Sequence, residues 1–181
     1  MKKQIAFICV IVSVFLWIFL ASDSARGVNG LNYDWGTQLA NVKKTLPADK
    51  DQIQFSPSEK PKYKNKILSY ITAIDAKLLE KIIIIRIKSA PVVDYLFVNN
   101  KLYTIMENWG NIDQKTEKDI QVKLTGLYGE PLVQRDKNFY IYSFNNDKTK
   151  VLLYLMKNAD GKSKCKVYYY TKQLFRMLIA E

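Results

Sequence analysis

Apolar residues first recur at helical spacing in Trp35, Leu39, Val42 and Leu46, with Gln38, Asn41, Lys43 and Lys44 on the rest of the wheel. This predicts an amphipathic helix with Asp34 or Thr37 at its start and Pro47 at its end. Ile53-Gln54-Phe55 suggests a short strand, and 56–66 reads as a polar, proline-containing loop. Strands are then expected at Ile67–Ile74 and Lys81–Lys88. Four consecutive isoleucines in the second favour the pleated state and burial on both faces. Val93–Val98 and Lys101–Asn108 flank Asn99-Asn100, two residues that tolerate the positive φ of a tight hairpin turn.

Gly110-Asn111 reads as a break. A second helix follows, capped by Asp113 or Thr116, with Ile120, Leu124, Leu127 and Tyr128 as its apolar stripe. It ends at Tyr128, before Gly129 and Pro131. Phe139–Phe144, Thr149–Met156 and Lys164–Tyr170 read as strands joined by Asn145–Lys148 and by a turn at Asn158-Ala159-Asp160-Gly161. A short C-terminal helix is expected over Thr171–Ala180. The predicted class is α+β: antiparallel β-meanders with two main helices packed on one face, an order that also admits a degenerate helix-meander repeat over 33–108 and 109–181.

The run Trp35-Gly36-x-x-x-x-x-Val42, a meander, a helix ending Leu127-Tyr128-Gly129-Glu130-Pro131 and another meander together resemble small bacterial envelope proteins of the BamE-like and β-lactamase-inhibitor-protein-like type. The resemblance spans most of residues 33–171 and implies a non-catalytic binding module built from helix-plus-meander units. Many lipoproteins of that type have a cysteine after the leader; here Cys9 lies inside the apolar run and none follows it closely.

The N-terminus sets the expected compartment. Lys2 and Lys3 precede an apolar run from Ile5 to Ala21, then small residues through Ala25. Residues 1–25 have the build of a secretory signal. At 17 residues the run also reaches the lower end of the ~17–25 that span a bilayer, so an uncleaved anchor is the alternative. Either way residues 27–181 form one domain outside the cytoplasm: periplasmic or secreted, or held at the inner membrane by one span. The rest of the chain keeps one thiol, Cys165, and no internal disulfide; Cys165 is expected as a small buried hydrophobe.

Charge narrows the partners. The 181 residues carry 28 basic and 17 acidic side chains, net +11, and no histidine. Beyond the leader, which holds Lys2, Lys3 and Asp23, 26 basic and 16 acidic residues remain, net +10. Such a surface favours an acidic protein, an acidic polysaccharide or an anionic membrane, while export argues against nucleic acid. Without histidine, and with two cysteines, imidazole bases and cysteine metal clusters are excluded, and no cofactor is expected. Glu107, Asp113, Glu117 and Asp119 are the only acids that suggest a carboxylate-based hydrolase; the last three are expected at an exposed helix start, where they favour the dipole.

The tyrosine-rich terminal strands are the most informative feature. Even-length loops would put Tyr140, Tyr142, Lys166, Tyr168 and Tyr170 on one face, a candidate surface for a protein partner of the envelope. Its alternative is a core face covered by the C-terminal helix. The expected function is a non-catalytic binding or assembly module acting through a sheet face or edge. The alternatives are the hydrolase and a membrane-anchored structural protein.

Overall fold

The computed structural model describes residues 33–54 and 81–172. The leader, the strand expected at Ile67–Ile74 and the helix expected after Thr171 lie outside the described residues. The class is α+β with an antiparallel sheet. Helix α1 (Leu39–Thr45) precedes β1 (Lys50–Gln54), β2 (Ile82–Ile87), β3 (Val92–Val98) and β4 (Lys101–Ile112). Helix α2 (Gln114–Tyr128) precedes β5 (Leu132–Asp136), β6 (Phe139–Asn145), β7 (Thr149–Lys157) and β8 (Ser163–Thr171). The strands form one eight-stranded sheet in the order β1-β2-β3-β4-β8-β7-β6-β5. Two meanders therefore meet at their last strands.

Local chemistry accounts for most of these elements. Asn99 and Asn100 take φ of 49° and 62°, so the β3–β4 hairpin has the tight turn their tolerance of positive φ permits. Asp113 accepts a hydrogen bond from the Thr116 backbone N–H and caps α2. Gly129, at φ 81°, closes its other end by donating to the Thr125 carbonyl. Ile82 and Ile84 on one face of β2 and Ile85 and Ile87 on the other are all buried, so both faces of this interior strand are covered.

Three boundaries differ from expectation. The first helix starts at Leu39 with Gln38 as N-cap and no side-chain cap; Thr37 instead donates its hydroxyl to the Asp34 carbonyl. Trp35 lies ahead of it, where its indole N–H donates to Thr149 Oγ1, and Gly36 bonds to the Leu102 carbonyl. Those ties hold 35–38 along the start of β4 rather than in a helix. Gly110 does not end the meander. It takes φ 67° beside a bulge at Trp109, and β4 continues through it to Ile112. The last hairpin has five loop residues, not four. Asn158 N–H bonds to the Lys162 carbonyl with Gly161 at φ 78°, and Lys157 faces Ser163.

Candidate functional site

That odd loop decides the tyrosine surface. Adding one residue to a hairpin loop moves every side chain of the following strand to the opposite face. Across β6 and β7, Tyr140 faces Leu155 and Tyr142 faces Leu153, as even spacing predicts. Across β7 and β8, Leu155 faces Cys165, Leu153 faces Val167 and Leu152 faces Tyr168. The five residues do not share a face. Tyr140 and Tyr142 lie on a first face with Cys165, Val167 and Tyr169, while Lys166, Tyr168 and Tyr170 lie on the second.

On the second face the aromatic rings form a row across the strands. Phe139 and Tyr154 have centroids 5.7 Å apart, and Tyr154 meets Tyr168 edge-on at 5.3 Å. Tyr168 is only 8% exposed and packs with Ile82, Ile84, Leu96, Val98, Tyr103 and Met106. Its phenol is pushed above the usual range by that burial. Tyr168 is thus core rather than open platform. On the first face Tyr140 is half-buried beneath the Arg135 guanidinium, 5.2 Å from its ring centre. Tyr142 is also half-buried, hydrogen-bonds to Gln121 of α2, and has its phenol raised chiefly by desolvation.

Two of the four named carboxylates enter the first face, and neither is open to solvent. Glu117 is buried where an exposed helix start was expected, because the first turn of α2 sits against the end of the last hairpin. It accepts from Lys157 Nζ at 2.7 and 2.8 Å and from Ser163 Oγ at 2.6 Å. Glu107, 1% exposed, accepts from the Trp109 indole at 3.1 Å and the Tyr169 hydroxyl at 3.5 Å. Burial pushes its carboxyl up to about 7, against the opposing pull of these donors and of Lys123. Asp113 is exposed, and the Thr116 N–H it caps holds its carboxyl low. Asp119 is exposed on α2. Cys165 lies fully buried, and desolvation, with Glu107 and Glu117 adding to it, raises its thiol to about 12. Among the described residues no group of three or more acidic or thiol side chains is placed to hold a metal ion.

The surface with the clearest unmet bonding capacity lies at the sheet edge. Strand β5 pairs with β6 alone, and among the described residues no strand joins its outer side. All five of its residues are exposed, with Leu132 at 73% and Val133 at 54%. Val133 faces Tyr142, which bonds to Gln121, and the next helical residue, Val122, is itself exposed. The opposite edge is built differently. In β1 Asp51 pairs with Lys88 at 2.9 Å, Gln52 accepts from Lys43, and Lys50 donates to the Pro47 carbonyl. Charged side chains of that kind blunt an edge, whereas exposed Leu and Val leave it receptive.

Sequence reasoning passed over β5. Leu132-Val133-Gln134-Arg135-Asp136 has no alternation of apolar and polar residues, because neither of its faces is covered. The available signal was Lys137-Asn138, a two-residue turn directly ahead of the Phe139 strand, with Lys137 at φ 48°. No family model, curated protein or solved structure matches the chain.

Proposed function

We propose that the protein is an exported, non-catalytic binding or assembly module of the cell envelope, and that it engages a protein partner through the β5 edge. The observation that carries this reading is the exposed strand β5, whose outer edge has no strand partner among the described residues and whose Leu132 and Val133 are bare to solvent. A strand added there gains main-chain hydrogen bonds along the edge and covers those side chains. The basic surface, net +10 beyond the leader, speeds encounter with acidic partners or an anionic membrane.

Export is supported by the lysine-flanked apolar run at Ile5–Ala21. A non-catalytic role is supported by the occupation of Glu107 and Glu117 in internal bonds. In this reading the chain consists of two helix-meander units, α1 with β1–β4 and α2 with β5–β8, joined at β4 and β8, with both helices over the first face. For α2 the support is Tyr128 against Tyr169 at 6.4 Å and Glu117 against Ser163. For α1 it is the contact of Lys43 with Gln52, together with Tyr33 against Tyr95 just ahead of the helix.

The test is a photo-crosslinking residue introduced in cells at Val133, Val122 or, as control, exposed Asp160. Defined protein adducts are expected from the first two positions and not from the third. Equal labelling at all three, or none at Val133, would overturn the assignment of the edge. Exposure of the exported domain is checked separately by a phosphatase fused after Glu181, expected to be active outside the cytoplasm.

A further inference from the structure

We infer that the strand received by the β5 edge belongs to a second copy of this chain, the two β5 strands pairing antiparallel about Gln134 so that two sheets become one. This rests on the reading of β5 as the binding edge and names its occupant. Two identical edges can pair antiparallel only through a two-fold axis perpendicular to the sheet. Such an axis keeps each face on its own side, so it must pass a residue rather than fall between two. Of the five residues of the strand, the three interior ones are the centres that pair at least three strand residues with their copies, and charge separates them. Centring on Val133 sets Glu130 opposite the partner's Asp136, and centring on Arg135 sets that arginine opposite itself. Like charges directly opposed are destabilising.

Centring on Gln134 avoids both. Val133 then lies beside the aliphatic stem of the partner's Arg135, Leu132 lies opposite Asp136, and the two Gln134 amides can hydrogen-bond to each other. The stretch 130–138 holds Glu130, Arg135, Asp136 and Lys137, which sum to zero. The net +11 of the chain is therefore not concentrated at this edge, and the edge carries no excess charge that would select an acidic strand over its own copy. At the other end of the sheet, the Asp51–Lys88 ion pair and the lysines around β1 oppose head-to-tail extension, so pairing closes at two copies.

The register can be read directly with the full chain carrying Cys9→Ser, in which Cys165 stays buried. Under mild oxidation Gln134→Cys should give a covalent dimer by itself. Leu132→Cys and Asp136→Cys should each stay monomeric alone and crosslink when mixed. Light scattering should give twice the chain mass, and Val133→Lys, which sets a lysine against Arg135, should halve it while leaving the far-UV circular dichroism spectrum of the folded chain unchanged. A monomeric mass across a tenfold concentration range, or equal crosslinking of all three single variants, overturns the inference. A monomer whose Val133 crosslinks to a different protein overturns the second copy while the edge remains a binding site. A chain that yields no adduct at β5 loses both readings.

Discussion

Glu107 shows how a single side chain couples this fold to pH. Its carboxyl lies on the sheet under the Trp109 indole and the Tyr169 hydroxyl at 1% exposure. Those donors stabilise the anion, but loss of water outweighs them, and the folded-state value rises from 4.5 to about 7. In the unfolded chain the group ionises near 4.5, so between 4.5 and about 7 the unfolded state releases a proton that the folded state keeps. Stability therefore falls as pH rises through that window, and the cost is complete above it. Glu107→Gln keeps a carbonyl acceptor and removes the charge. Its stability relative to wild type should grow by about 3 kcal/mol from below pH 4.5 to above pH 7, measured by urea unfolding at each pH. A constant difference across that range would show that Glu107 titrates normally. Cys165 behaves in parallel: its thiol, raised to about 12, should resist an aromatic disulfide reagent until the chain is unfolded.

At the scale of elements, hairpin geometry separates what the sequence makes legible from what it hides. Asn99-Asn100 and the Gly129 cap are read correctly, and Asp113 is one of the two N-caps the sequence offers, because each is a local contest decided by two or three residues. The faces of β6 and β7 follow from simple alternation for the same reason. The face of β8 is lost because Asn158-Ala159-Asp160-Gly161 looks complete as a turn, yet Gly161 at φ 78° passes the chain through Lys162 before pairing resumes. One residue of loop length then moves Tyr168 and Tyr170 away from Tyr140 and Tyr142. Strand β5 is hidden because its pattern depends on an edge that no strand among the described residues covers, which is a tertiary fact. The glycine is open to test. Gly161 has no heavy atom near the place of an added Cβ, so Gly161→Ala meets only backbone strain. It should cost about 1–2 kcal/mol in urea unfolding. No loss would mean that the loop adopts another conformation.

The whole molecule rests on the seam where the two meanders meet. Strand β4 pairs with β8 from Thr104–Tyr170 to Ile112–Ser163, and this ladder is the direct sheet pairing between the halves. Its side chains serve both halves at once. On the first face Ile105 lies opposite Tyr169 and Glu107 opposite Val167, under Tyr128 of α2. On the second face Met106 and Tyr168 belong to a cluster that also takes in Ile82, Ile84 and Leu96. Opening either half exposes the buried seam residues of the other, so neither meander has a complete core alone. Unfolding should be a single transition, with far-UV circular dichroism and tryptophan fluorescence coinciding, since Trp35 ties the first segment to Thr149 of β7. Reductant should leave its midpoint unchanged, because the buried Cys165 is unpaired. Seam variants should act on both probes together: Val167→Ala, which empties space at a fully buried position of β8, should lower the midpoint equally by either signal, at a cost of about 1–3 kcal/mol. Two separated transitions, or a Val167→Ala effect confined to one probe, would mean that the meanders fold as independent units and that the seam is only a contact between them.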